Sequence, residues 1–205
     1  MGKINIAVIG VGNCTSSLVQ GIHYYRKSLT EHINGLMHRE IGGYAPEDVH
    51  VSAAFDIDSR KVGKDLSRAV FEKPNCTKVF CSDIPETGIT VQMGRILDGC
   101  PEHMSGYDAD KRFMVSDARE PDKKDVVDLL RETETDIIAN YLPVGSRKAT
   151  EFYAECALEA GTGFINNIPV FIASDEKWSR RFREKGLPLI GDDIKAQLGA
   201  TITHR

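Results

Sequence analysis

No apolar stretch in the chain approaches the ~18 residues needed to cross a bilayer. Nor is there a polybasic patch or a basic stripe: 26 basic and 30 acidic side chains are spread through 205 residues, for a formal net charge of −4. Neither a membrane nor a nucleic acid is therefore expected as a partner, and any phosphate site must be local, built from a few residues. The cysteines (Cys14, Cys76, Cys81, Cys100 and Cys156) are odd in number and form no C-x-x-C pair. A reduced, cytoplasmic chain without a zinc site, and with no other metal, is the expectation. The run from Met1-Gly2-Lys3 straight into a strand pattern reads as having no secretory leader. Internal repeats and low-complexity tracts are missing as well. What remains, at 41% hydrophobic residues, is ample material for the core of one large domain.

The pattern of that material is alternating. Ile4 to Ile9 is a short, almost wholly apolar run ending at Gly10, as suits a strand buried on both faces of a parallel sheet. Asn13 to Tyr25 predicts a helix, with Leu18, Val19 and Ile22 at helical spacing. Val49 to Ile57 reads as a strand and Ser59 to Val70 as a helix. Further on come a helix at Asp122–Thr133, a strand at Asp136–Tyr141, a helix at Ser146–Ala160 ended by Gly161, and a strand at Phe164-Ile165. A helix at Asp175–Lys185 ended by Gly186 and a strand at Leu187–Ile190 complete the series. Such alternation predicts an α/β fold, a Rossmann-like doubly wound parallel sheet, in a single domain over 1–205. Two stretches break the rhythm and read as insertions: about 26–48, rich in glycine and charge, and about 74–115, with short strand candidates at Thr77–Cys81 and Ile89–Met93. Asp192 to Arg205 resembles the start of a helix with no cap or breaker, so both a ragged last helix and a piece of a longer protein stay open.

Five constellations carry chemistry. Gly10-Val11-Gly12-Asn13-Cys14-Thr15 lies between strand and helix, where the first glycine permits a tight turn and the second lets a pyrophosphate approach free helix N–H groups. The usual third glycine is replaced by Thr15. Asp56, at the end of the second strand, is placed to accept both hydroxyls of an adenosine ribose and to repel a 2′-phosphate, which favours NAD over NADP. It comes later than the ~20 residues usual after the glycines, and the insertion before Asp48 accounts for the excess. Neighbouring Asp58 suits a helix N-cap. Tyr141-Leu142-Pro143-Val144-Gly145-Ser146 follows another strand and should face the same crevice, with Ser146 as N-cap of the next helix. Asn166-Asn167-Ile168-Pro169 offers amides to a nicotinamide or a sugar, or merely caps a turn. Gly191-Asp192-Asp193-Ile194-Lys195 makes either a polar pocket or the charged first turn of a helix. Thr201, Thr203, His204 and Arg205 suit an anion or a solvated face, while His23, His32, His38, His50 and His103 show no ligand spacing.

Taken together, these motifs resemble myo-inositol-1-phosphate synthase in its shorter, prokaryotic form. The likeness is carried by Gly10–Cys14 with Ser16–Gly21, Phe55–Asp58, Tyr141–Ser146, Pro169–Ser174 and Gly191–Lys195. It implies conversion of glucose 6-phosphate to inositol phosphate with NAD used and regenerated: C5 is oxidised, the ketone enolises, an intramolecular aldol step closes the ring, and the hydride returns. It implies further that Gly10, Gly12, Asn13, Cys14 and Asp56 hold the dinucleotide and that Tyr141, Leu142 and Pro143 pass near the nicotinamide. By the same likeness Asp192 contacts the cofactor, Lys195 and Asp193 act in catalysis, and Thr201 lies near the substrate phosphate. A homo-oligomer, tetrameric in the complete protein, is also implied. The chain departs from the family pattern at Ala196, where a serine is usual. Family members also run on into a catalytic and tetramer-forming part that is expected to be absent here. Two other readings stay open: an NAD-dependent dehydrogenase of a polyol or phosphosugar, and a non-catalytic NAD-binding fragment.

Overall fold

The computed structural model describes residues 2–27, 35–100 and 102–193. Their elements are β1 (Ile4–Ile9), α1 (Asn13–Arg26), β2 (Val49–Asp56), α2 (Leu66–Ala69), β3 (Gln92–Met93), α3 (Lys123–Glu132), β4 (Ile137–Asn140), α4 (Arg147–Ala160), β5 (Gly163–Asn166), α5 (Glu176–Glu184) and β6 (Leu189–Ile190). The strands form one sheet in the order β3-β2-β1-β4-β5-β6, every neighbouring pair parallel. The chain winds outward from β1 to β3, then returns to lay β4 on the other side of β1. That reversal is the switch point at which doubly wound sheets open a crevice beyond their carboxyl ends.

Alternation within β1 shows why the sheet is covered on both sides. Ile6 and Val8 pack with Val19 of α1 and with Leu66 and Ala69 of α2. Ala7 and Ile9 face the other layer, where they join Val126 and Leu130 of α3, Tyr153 and Ala157 of α4 and Phe182 of α5. Local chemistry sets the helix ends. Asp122 and Asp125 form a reciprocal capping box at the start of α3, Asp175 accepts the N–H groups of Lys177 and Trp178 at the start of α5, and α4 ends on Gly161 at φ +85°.

Three expectations are corrected. The helix foreseen over Ser59–Val70 shrinks to Leu66–Ala69, because the carboxylates of Asp58 and Asp65 take nearby backbone N–H groups and hold 58–65 in turns. Thr77–Cys81 is not a strand. It runs across α1, with Gln20 Oε1 accepting the N–H groups of Phe80 and Cys81 at 2.8 and 3.1 Å. Within Ile89–Met93 only Gln92–Met93 joins the sheet, while Ile89 and Val91 exchange backbone bonds with Leu66, Lys64 and Gly63. The stretch expected as a pure elaboration thus also supplies the sheet's outermost strand. No helix among the described residues is long and apolar enough to cross a membrane.

Candidate functional site

At the carboxyl end of β1 the chain turns on Gly10, at φ +91°, whose N–H donates to the Phe55 carbonyl at 2.8 Å. A Cβ there would lie 2.8 Å from the Tyr141 carbonyl oxygen, so the loops after β1 and β4 touch at a point only glycine allows. Gly12 is different: it has φ −90°, and a Cβ on it would meet nothing within 4 Å. Thr15 resolves the missing third glycine. Fully buried, it donates its hydroxyl to the Gly10 carbonyl at 2.6 Å and so locks the turn.

Asp56 is nearly buried and already engaged. Oδ2 accepts the Val11 N–H at 2.7 Å and Oδ1 the Asp58 N–H at 2.8 Å. Each carboxylate oxygen keeps a further lone pair for a ribose hydroxyl. Behind it lies Lys61, 1% exposed, its Nζ 2.8 Å from the Val11 carbonyl, 2.9 Å from Asn75 Oδ1 and 3.9 Å from Asp56 Oδ2. Burial pushes the Lys61 pKa down against the pull of Asp56 and Asp58. The sequence reading missed both Lys61 and Asn75. The available signal was the pair Asp56 and Asp58 at a buried strand end, which demands a counter-charge close by.

Asp58 is no helix cap. It pairs with Arg60 at 2.6 Å and accepts the Met114 N–H at 3.0 Å, clasping the 113–116 segment to the end of β2. Burial works to raise its pKa, but the Arg60 guanidinium with the N–H groups of Met114 and Arg60 outweighs it and holds the carboxyl below its ordinary value. A depressed carboxylate contributes stability above the unfolded-state pKa of ~3.9, and that contribution drains as pH falls through the lower folded value. Asp58→Asn is expected to lower stability at pH 7 by about 1–3 kcal/mol and to flatten the acid limb below about pH 4. Urea unfolding between pH 2 and 7 measures both, and an unchanged acid limb would reject the assignment.

These elements enclose a cavity of about 350 Å³, lined by Gly10, Gly12, Asn13, Cys14 and Asp56 on one side and by Tyr141, Leu142 and Pro143 on the other. Eight residues singled out in the sequence are thus brought together. Asn13 ties the loop to the elaboration, its Oδ1 accepting the Cys76 N–H at 2.8 Å. Burial, with a smaller push from Cys14, raises the Tyr141 pKa to about 12 and keeps it a neutral phenol. Arg95, Lys111 and Phe113 from the elaboration also reach the wall, none of them foreseen from sequence.

Other candidates are occupied elsewhere. Asn166 and Asp192 do not line the cavity. Asn166 donates to Asp192 Oδ1 and to the Ile168 and Val170 carbonyls and accepts from Asn140, while the Asp192 carboxylate also accepts the N–H groups of Ile172, Ala173 and Ser174. Asp192 thus braces the 166–174 segment through its carboxylate. Ser146 occupies the N-cap position of α4 but makes no cap bond. Asp98 reaches in instead, accepting the N–H groups of Lys148 and Ala149 at 2.8 and 2.9 Å. Asp193 sits outside the cavity at φ +62°, and Lys195, Thr201, Thr203, His204 and Arg205 lie outside the described residues. No group of three or more His, Cys, Asp or Glu able to hold a metal occurs among the described residues.

A parallel sheet in this order, a glycine turn at its switch point and a carboxylate at the end of β2 define a Rossmann-like, doubly wound fold. No protein-family profile matches the chain. Single relatives do. It is 51% identical over 205 residues to the inositol-3-phosphate synthase of Mycolicibacterium smegmatis, which covers 100% of the chain and 54% of that protein. It is 49% identical over 204 residues to that of Mycobacterium tuberculosis (99% and 53%) and 46% identical over 203 residues to that of Corynebacterium glutamicum (98% and 53%). Among solved structures, the crystal structure of Ari2 superposes with a TM-score of 0.82 at 32% identity, over 99% of this chain and 56% of that one. A myo-inositol-1-phosphate synthase-related protein from Thermotoga maritima gives 0.70 at 23%, over 93% and 55%, a likeness of fold. The chain is thus similar over essentially its whole length to inositol-3-phosphate synthases, and it spans about half the length of the curated relatives it matches.

Proposed function

We propose that the chain is the cofactor-binding portion of an NAD-dependent inositol-phosphate synthase, an isomerase that converts glucose 6-phosphate to inositol phosphate in the cytoplasm, as a homotetramer when complete. One observation carries the reading: the residues shared with that family's motifs, Gly10, Gly12, Asn13, Cys14, Asp56, Tyr141, Leu142 and Pro143, converge on one cavity at the switch point. The site fits a dinucleotide. The open space over Gly12 suits a diphosphate, and Asp56 keeps acceptor capacity for a ribose. NAD would supply a hydride acceptor early in the cycle and return the hydride at its end. The chain's own contribution is to bind and orient. The loop N–H groups face the diphosphate, the Asp56 charge disfavours a 2′-phosphate, and the neutral Tyr141 phenol with Leu142 and Pro143 keeps water from the reactive end. Lys195 and Asp193 are proposed as the catalytic pair and Thr201 as a contact to the substrate phosphate.

The complete gene product, given NAD⁺ and glucose 6-phosphate, is expected to release inositol phosphate with no net NADH, and calorimetry should show NADP⁺ bound at least about 10-fold more weakly than NAD⁺. Accumulating NADH would instead favour a dehydrogenase, and binding without turnover a non-catalytic module.

A further inference from the structure

We infer that Lys61 is the positioning residue of the dinucleotide site: from behind the glycine loop its ammonium fixes the Val11–Gly12 peptide so that the Gly12 N–H faces the cavity. The inference rests on the reading of this cavity as a dinucleotide site. Lysine is almost never fully buried unless paired, and Lys61 is 1% exposed. It does not line the cavity. What it touches is the Val11 carbonyl at 2.8 Å, with Asn75 Nδ2 donating to the same oxygen at 3.1 Å.

The Val11–Gly12 peptide is trans, so its C=O and N–H point in opposite directions. Two donors drawing the carbonyl toward Lys61 turn the Gly12 N–H the other way, into the space a Gly12 Cβ would find empty. No partner for that N–H occurs among the described residues. A carbonyl bonded to a cation also polarises its peptide and makes the N–H a stronger donor. The loop's remaining bonds agree with this orientation. Val11 N–H is held by Asp56, whose charge Lys61 offsets at 3.9 Å, and Gly10 C=O is held by Thr15. Lys61 and Asn75 are joined at 2.9 Å, so the clamp on the Val11 carbonyl is one connected unit, not two separate contacts.

The test measures binding of NAD⁺, ADP-ribose and adenosine to the full chain as wild type, Lys61→Met and Lys61→Arg. A positioning role predicts that Lys61→Met weakens NAD⁺ and ADP-ribose by about 10- to 100-fold, leaves adenosine within about threefold, and is largely rescued by Lys61→Arg. Equal losses for all three ligands, or no loss, would overturn it. Should Lys61→Met fail to fold, Lys61→Gln, which keeps a donor without the charge, is read by the same criteria. In the wild type the Gly12 amide resonance should shift on adding ADP-ribose and stay put with adenosine; an amide unmoved by ADP-ribose overturns the proposal. A wild type that binds neither NAD⁺ nor ADP-ribose would mean that the dinucleotide reading itself fails, a result distinct from any pattern among the variants.

Discussion

Gly10→Ala is expected to destabilise the protein by roughly 2–5 kcal/mol, whereas Gly12→Ala leaves it at least as stable as before and weakens dinucleotide binding by about 100-fold. Gly10 has φ +91°, where an L side chain is strained by about 1–2 kcal/mol. Its Cβ would also press on the Tyr141 carbonyl oxygen at 2.8 Å and carbon at 3.1 Å, backbone atoms that cannot swing aside, which adds about 1–3 kcal/mol. Since domains are typically stable by about 5–15 kcal/mol, the variant should fold with a markedly lower urea midpoint. Gly12 has φ −90°, ordinary for alanine, and its Cβ would meet no protein atom within 4 Å. Restricting the unfolded chain should then stabilise the variant by up to about 0.4–1 kcal/mol. The added methyl occupies the space proposed for the diphosphate, so NAD⁺ affinity should fall by about 100-fold, close to 2.7 kcal/mol. Two glycines of one motif thus separate into a folding residue and a binding residue. Denaturant unfolding and calorimetry on both variants decide the matter. A destabilised Gly12→Ala, or one that binds NAD⁺ normally, would contradict the assignment.

The parts of this molecule that the sequence made legible are those with a local signal. The apolar run Ile4–Ile9 before Gly10, the paired caps Asp122 and Asp125, and Gly161 after α4 each announce an element by residues adjacent in the chain. The glycine loop, Asp56 and Tyr141–Pro143 were legible for a related reason: each ends a strand of a parallel sheet, and such ends meet in space. The region from Ser59 to Ser116 was not legible, because its order comes from single side chains bonding distant backbone. Gln20 binds Phe80 and Cys81, Asn13 binds Cys76, Asp65 binds Thr87 and Gly88, and Asp98 caps α4. None of these pairs leaves a periodicity. Lys61 escaped notice because its neighbours Arg60 and Lys64 make it look like part of a solvated charged face, while the fold turns it inward to Asp56. Asp192 shows the opposite case. Its motif suggested cofactor contact, and the three-dimensional arrangement adds bonds from Asn166 and the Ile172 backbone that no local signal announces.

Those bonds give the second large effect. Asp192→Ala should lower stability by about 3–5 kcal/mol, because the buried carboxylate is the common acceptor for Asn166 Nδ2 at 2.7 Å and for the N–H groups of Ile172, Ala173 and Ser174 at 3.1–3.2 Å. Removing it strands several donors at once in a partly dry region, and Asp192→Asn should be little better, since an amide turns its NH₂ toward groups that can only donate. The damage should be local at first. Amide protection at Ile172, Ala173 and Ser174 should collapse in hydrogen exchange while β1 and β2 keep theirs. Among the described residues the network continues from Asn166 to Asn140, whose Oδ1 accepts the Leu142 N–H at 3.3 Å, and so reaches the cavity wall through two intervening side chains. NAD⁺ affinity, measured where the variant is still folded, should therefore change by less than about threefold. A tenfold loss of affinity with stability unchanged would reverse the argument and restore Asp192 to the cofactor's own contacts. The two measurements together tell a brace from a ligand-binding group, because only a brace loses stability first and affinity hardly at all.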